Sequence, residues 1–98
     1  MKDVLNDTHF TNLCKQMFPE ETIIHPAKLV VGPVKHLEAN LIYLCVKYRV
    51  TLIQKTSNDW DADIYDAKGC KKLYVVCKAS AYIAIEELAL RFKKMLEV

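Results

Sequence analysis

Residues Pro33–Val50 read PVKHLEANLIYLCVKYRV, and the fold turns on them. Val34, Leu37, Leu41, Leu44, Cys45 and Tyr48 recur at helical spacing, and Pro33 suits the first turn of a helix, where its missing N–H costs nothing. The spacing predicts a helix starting at Pro33. The competing reading is a buried strand over Leu41–Tyr48, a run apolar enough for either.

On the N-terminal side, THFTNLCKQMF (8–18) predicts a short amphipathic helix with Phe10, Leu13, Cys14 and Met17 on its apolar stripe. Asp7 or Thr8 can cap it, and Pro19 follows it. Residues 20–33 hold Pro26 and end in Gly32-Pro33, which predicts an extended connector with an edge strand at Leu29–Val31.

On the C-terminal side, three strands are expected at Val50–Lys55, Trp60–Tyr65 and Lys72–Lys78, joined by the short polar loops TSND and DAKG. Leu73, Val75 and Cys77 should share one face of the third. Ser80 then caps a helix from Ala81 to about Glu97. Ala81, Ala84, Ile85, Leu88, Phe92, Met95 and Leu96 form its core stripe. The expected class is α+β: a three-stranded antiparallel meander packed with helices, in the order α-α-β-β-β-α, as a single domain over residues 1–98.

Composition narrows the function classes. A hydrophobic fraction of 52% supplies a core without disulfides. No apolar run approaches the ~18 residues of a membrane span, and MKDVLNDTHF lacks the apolar centre of a secretory signal, so a soluble, cytoplasmic protein is expected. Cys14, Cys45, Cys70 and Cys77 are unevenly spaced among apolar neighbours, without a C-x-x-C pair. They read as small buried hydrophobes, with no zinc and no cofactor expected. Fourteen basic against twelve acidic residues give a net charge of +2, too balanced to imply nucleic acid or a membrane.

The acids are concentrated in NDWDADIYD (58–66). Strand alternation puts Trp60, Ala62 and Ile64 on one face and Asp59, Asp61, Asp63 and Tyr65 on the other. Aspartate forms strands poorly, so its repetition needs a cause. The row reads as a solvated outer face, as a docking stripe for a basic surface, or as a metal site. The calcium-loop pattern fails, because Ile64 stands where glycine is required and Cys70 where glutamate is. Exposed docking charges at Asp59, Asp61, Asp63 and Asp66, with Tyr65 beside them, are the expectation. On the last helix, Ile83 and Leu90 fall opposite the core stripe. They predict a partner or homodimer surface, unless the first helix or the connector covers them.

Catalysis is not expected. Two glycines, Gly32 and Gly69, leave no phosphate loop, and His36, Asn40 and Tyr43 read as a wet helix face. Residues 34–97 follow the element order of double-stranded RNA-binding domains, but the lysine cluster those domains carry at the start of the final helix is missing. The functional expectation is a small non-enzymatic protein-binding domain. It would be an inhibitor or accessory protein of the bacterial or phage kind, anti-CRISPR proteins among them, docking its acidic strand on a basic protein surface. The alternative is nucleic-acid binding through Lys71, Lys72, Arg91, Lys93 and Lys94.

Overall fold

The computed structural model describes residues 6–97. Helix α1 (Asp7–Met17) is followed by six strands: β1 (Thr22–Ile24), β2 (Lys28–Val30), β3 (His36–Tyr43), β4 (Val46–Thr56), β5 (Asp59–Asp66) and β6 (Lys71–Lys78). Helix α2 (Ala81–Leu96) closes the chain. The strands form one sheet in the order β1-β3-β4-β5-β6, with β2 also paired to β3, and every pairing is antiparallel. The order α-β-β-β-β-β-β-α and the six-stranded sheet correct the expected three-stranded meander with α-α-β-β-β-α order.

The correction sits in the opening stretch. Residues 36–43 are a strand, and Leu37, Ala39 and Leu41 enter the core from alternate positions. β3 pairs with β4 from His36↔Ile53 to Tyr43↔Val46, so Leu44 and Cys45 alone make the turn. Their φ values are +48° and +69°, the signature of a type I′ hairpin turn. Such turns favour Asn-Gly, because positive φ crowds a Cβ. Here two apolar residues take the strain, and apolar residues at that point extend a helical stripe instead of ending a strand.

The expected elements elsewhere are present. Asn6, not Asp7 or Thr8, caps α1 by accepting the His9 N–H. The connector carries β2 one residue before its expected place, and β1 as well. Both lie along one side of β3, and Pro26 sits between them, where no ladder N–H is needed. Thr11 Oγ1 accepts the Ala27 N–H at 2.8 Å and donates to the Asp7 carbonyl, tying α1 to this edge. Ser80 caps α2 as expected, accepting the Ile83 N–H.

Both helices cover one sheet face. Leu37, Ala39, Leu41, Val50, Leu52, Trp60, Ala62, Ile64 and Val75 meet Phe10, Leu13, Cys14, Ala84, Ile85, Leu88 and Phe92 there. Phe92 takes edge-on contacts from Phe18, Tyr43 and Tyr48, joining α2 to both ends of the β3–β4 hairpin turn. The other face is open and carries the charged residues.

The turn supplies a prediction. Replacing Leu44 by Asn together with Cys45 by Gly should stabilise the protein by about 1 kcal/mol, since each relieves a strained φ. The thermal midpoint should rise by about 4–8 °C. An unchanged or lower midpoint would refute the type I′ geometry.

Candidate functional site

The acidic strand β5 lies between β4 and β6. Trp60, Ala62 and Ile64 are fully buried on the helix-covered face, as the alternation requires. Asp61 and Asp63 point to the open face, yet they are only 7% and 6% exposed. Asp59, Tyr65 and Asp66 are half-buried. The expectation of freely exposed docking charges is therefore corrected for Asp61 and Asp63, because neighbouring strands supply their covers.

Asp61 is covered through two irregularities. Trp60 pairs with Lys78 and Ala62 with Val75, so Val76 and Cys77 together face Asp61 in a β-bulge. Cys77 takes φ +57°, and its N–H donates to Asp61 Oδ1 at 2.9 Å. On the other side, the register shifts between Gln54 and Thr56, leaving Lys55 as the extra residue of β4. Its Nζ lies 2.9 Å from Asp61 Oδ2. Burial pushes the Asp61 carboxyl up, but the Cys77 N–H and the Lys55 ammonium outweigh it and hold the group below the ordinary carboxylate range. The same hydrogen bond to Asp61 raises the Lys55 ammonium above its ordinary range.

Asp63 lies 3.6 Å from Lys71 Nζ, and Thr51 Oγ1 donates to it at 3.5 Å. Lys71 and Arg49 both stand over the Tyr65 ring, at 5.7 and 4.6 Å from its centre. Glu38 Oε1 joins Arg49 at 3.7 Å and His36 at 3.4 Å. Asp66 Oδ1 accepts the N–H groups of Lys68 and Cys70 in the β5–β6 turn, and Oδ2 lies 3.8 Å from Lys72. The Cys70 N–H, with that of Lys68 and the Lys72 charge, holds the Asp66 carboxyl below its ordinary range against desolvation. The open face is thus a ladder of alternating charge that largely neutralises itself.

Three of the five basic residues expected to hold nucleic acid are met by carboxylates of this chain. Lys71 and Lys72 serve Asp63 and Asp66, and Arg91 serves Glu87, while Lys93 and Lys94 sit in the last turn of α2. The trio His36, Asn40 and Tyr43 is divided: the first two face the open side and Tyr43 packs on Phe92.

The cysteines also need correction. Cys14 is buried, and burial pushes its thiol up to about 12. Cys45, Cys70 and Cys77 are exposed, because they occupy the β3–β4 turn, the end of the β5–β6 turn and the bulge. The bulge also takes Cys77 off the face it would have shared with Leu73 and Val75. It brings the Cys77 sulfur within 4.8 Å of donor oxygens on Asp59 and Asp61. Lys55 supplies the cation beside that group.

The second candidate surface lies along β6, the last strand of the sheet. Arg91 donates to the Tyr74 carbonyl, and Glu87 Oε2 lies 3.2 Å from both Lys78 and Arg91. These contacts lay the Ile83–Glu87–Leu90 line of α2 beside the free edge of β6. Ile83 and Leu90 are 42% and 56% exposed. Tyr82, Tyr74 and Val76 are exposed beside them, so this edge holds five of the eleven large exposed apolar residues among those described. Tyr74 and Val76 were missed in the sequence, where an even apolar run hid which side faces water.

Comparison of the chain with protein-family models, curated proteins and solved structures finds no match. No helix among the described residues is long and apolar enough to cross a membrane.

Two predictions test the site. Asp61→Ala should destabilise by about 1–2 kcal/mol, because it strands the Cys77 N–H, whereas Asp61→Asn keeps an acceptor and should cost less. A depressed carboxyl contributes stability that is present above about pH 4 and lost as pH falls through the folded value. The raised Lys55 ammonium contributes stability present below about pH 10 and lost at still higher pH. Urea titrations from pH 2 to 7 should accordingly show a shallower acid loss in both variants, and identical profiles would refute the stabilising role of the Asp61 contacts with Cys77 and Lys55. Separately, three thiols should react with a disulfide reagent in the native protein and the fourth, Cys14, only on unfolding.

Proposed function

We propose that this chain is a non-enzymatic protein-binding domain that receives an extended segment of its partner along the β6–α2 edge. The observation that carries this reading is the pairing of an open strand edge with flanking apolar side chains, Tyr74 and Val76 on one side and Ile83 and Leu90 on the other. Edge strands offer backbone hydrogen bonds for affinity, and side-chain contacts on their flanks give choice of partner.

Charge favours a foreign partner over a second copy. Antiparallel self-pairing centred between Tyr74 and Val75 would set Lys71 opposite Lys78 of the other chain, one reaching Asp63 on the open face and the other Glu87 on the helix side, so a second copy brings no matching carboxylate to the seam. Lys71, Lys72 and Arg91 are each held by a carboxylate of this chain but stay about half exposed, at 48, 51 and 47%, so they can exchange onto Asp or Glu flanking a partner's apolar residues. This reading moves the contact away from the β5 carboxylates, since Asp61 and Asp63 are covered and their charge is met within the chain.

The test is selection from a displayed library of random ten-residue peptides. Wild type should enrich acidic, alternately apolar peptides, and Ile83→Glu with Leu90→Glu should weaken them by roughly tenfold or more. Stability should stay within about 0.5 kcal/mol, as for exposed positions generally. No enrichment, or equal binding by the double variant, would sink the reading, and a large fall in melting temperature would show these residues to be core.

A further inference from the structure

The end of the sheet that carries the β3–β4 and β5–β6 turns holds two adjoining hollows of about 320 and 370 Å³. Asn40, Lys47 and Tyr48 line both, so they form one groove divided by a shared wall. His25 completes the first hollow, and Arg49 and Lys68 stand in the second. Each hollow falls in the range of about 300–1,000 Å³ typical of small-molecule sites.

Two cations of the groove carry open charge: neither Lys47 nor Lys68 forms an ion pair among the described residues. Arg49 Nε is buried without a hydrogen-bond partner, since Glu38 at 3.7 Å is too distant for one. The one carboxylate in the lining, Asp66, is already engaged by two backbone N–H groups and Lys72. It leaves Lys47 and Lys68 as an excess of positive charge beside the unpartnered Arg49 Nε, with Asn40 as a neutral polar neighbour.

We propose that this groove binds the diphosphate group of a small phosphorylated molecule. A diphosphate carries several acceptor oxygens and enough charge to engage Lys47 at the shared wall and Lys68 with Arg49 beyond it. Charge-assisted hydrogen bonds of this kind are the strong ones, and arginine adds directional donors that lysine lacks. The groove is separate from the β6–α2 edge in its residues, so either can fail without the other.

Calorimetric titration with inorganic pyrophosphate, ADP and adenosine tests this. Pyrophosphate and ADP should bind, and adenosine should not. Lys47→Glu with Lys68→Glu should weaken both by roughly tenfold or more, given two lost charged contacts. Lys15→Glu with Lys93→Glu, at exposed positions outside the groove, should change them less than about twofold. Circular dichroism checks that both variants fold. Absence of pyrophosphate binding, or equal loss in the two double variants, would overturn the proposal. Binding of a twelve-nucleotide single-stranded RNA without pyrophosphate binding would overturn it too, and would mark the groove as a track for nucleic-acid backbone.

Discussion

Strand β5 is buried on both faces, and the two burials have opposite chemistry. One face sinks Trp60 and Ile64 among the helix side chains, and that transfer of apolar surface is the larger stabilising term, on the order of 2 kcal/mol for each large side chain. The other face buries carboxylates, which is tolerable only when charges and donors meet them. Asp61 finds the Cys77 N–H and Lys55, and Asp63 finds Thr51 and Lys71. The apolar face would accept other inward-facing registers that preserve parity. The polar face would not, because each carboxylate has its own partners on β4 and β6, those of Asp61 at bulges. Hydrophobic burial drives the sheet to form, and the carboxylates choose how β4 and β6 align on it.

This division explains what could be read from the residues. Helices α1 and α2 announce themselves, since their stripes are long and their caps lie beside them. The β4–β5 and β5–β6 hairpins are equally plain, because polar turn residues separate alternating strands. β3 hides for a physical reason. Its turn, Leu44-Cys45, lacks the residues that make positive φ easy, so nothing in the local chemistry separates a strand pair from a helix. Only the sheet, which needs β3 between β1 and β4, decides.

The candidate site was legible in part. Alternation placed the aspartates on the correct face, and helical spacing placed Ile83 and Leu90 outside the core. Exposure of the aspartates was not legible. Lys55 and Cys77 reach Asp61 only because one register shift lies in β4 and another in β6, and a shift of one residue leaves no mark on hydrophobic pattern. The exposed cysteines belong to the same class of miss: Cys45 and Cys77 have apolar neighbours, but they occupy positive-φ positions that turn them outward.

The two sheet edges are managed differently, and the contrast bears on binding. At one edge, Pro26 divides β1 from β2, so neither presents more than three residues. Short, proline-broken strands are poor templates for pairing. β6 has eight residues and no proline, and it is guarded instead by lysines at both ends and by Arg91 on the Tyr74 carbonyl. A guard made of side chains is removable. A partner strand that brings its own N–H to Tyr74 would replace one donor with another, so that exchange nearly cancels in hydrogen-bond energy. Arg91 would keep Glu87 as its partner. What remains to decide association is the apolar contact with Tyr74, Val76, Ile83 and Leu90, together with the charges at the partner's ends. An edge built this way offers its own copies no matching carboxylate while staying open to a segment of complementary charge.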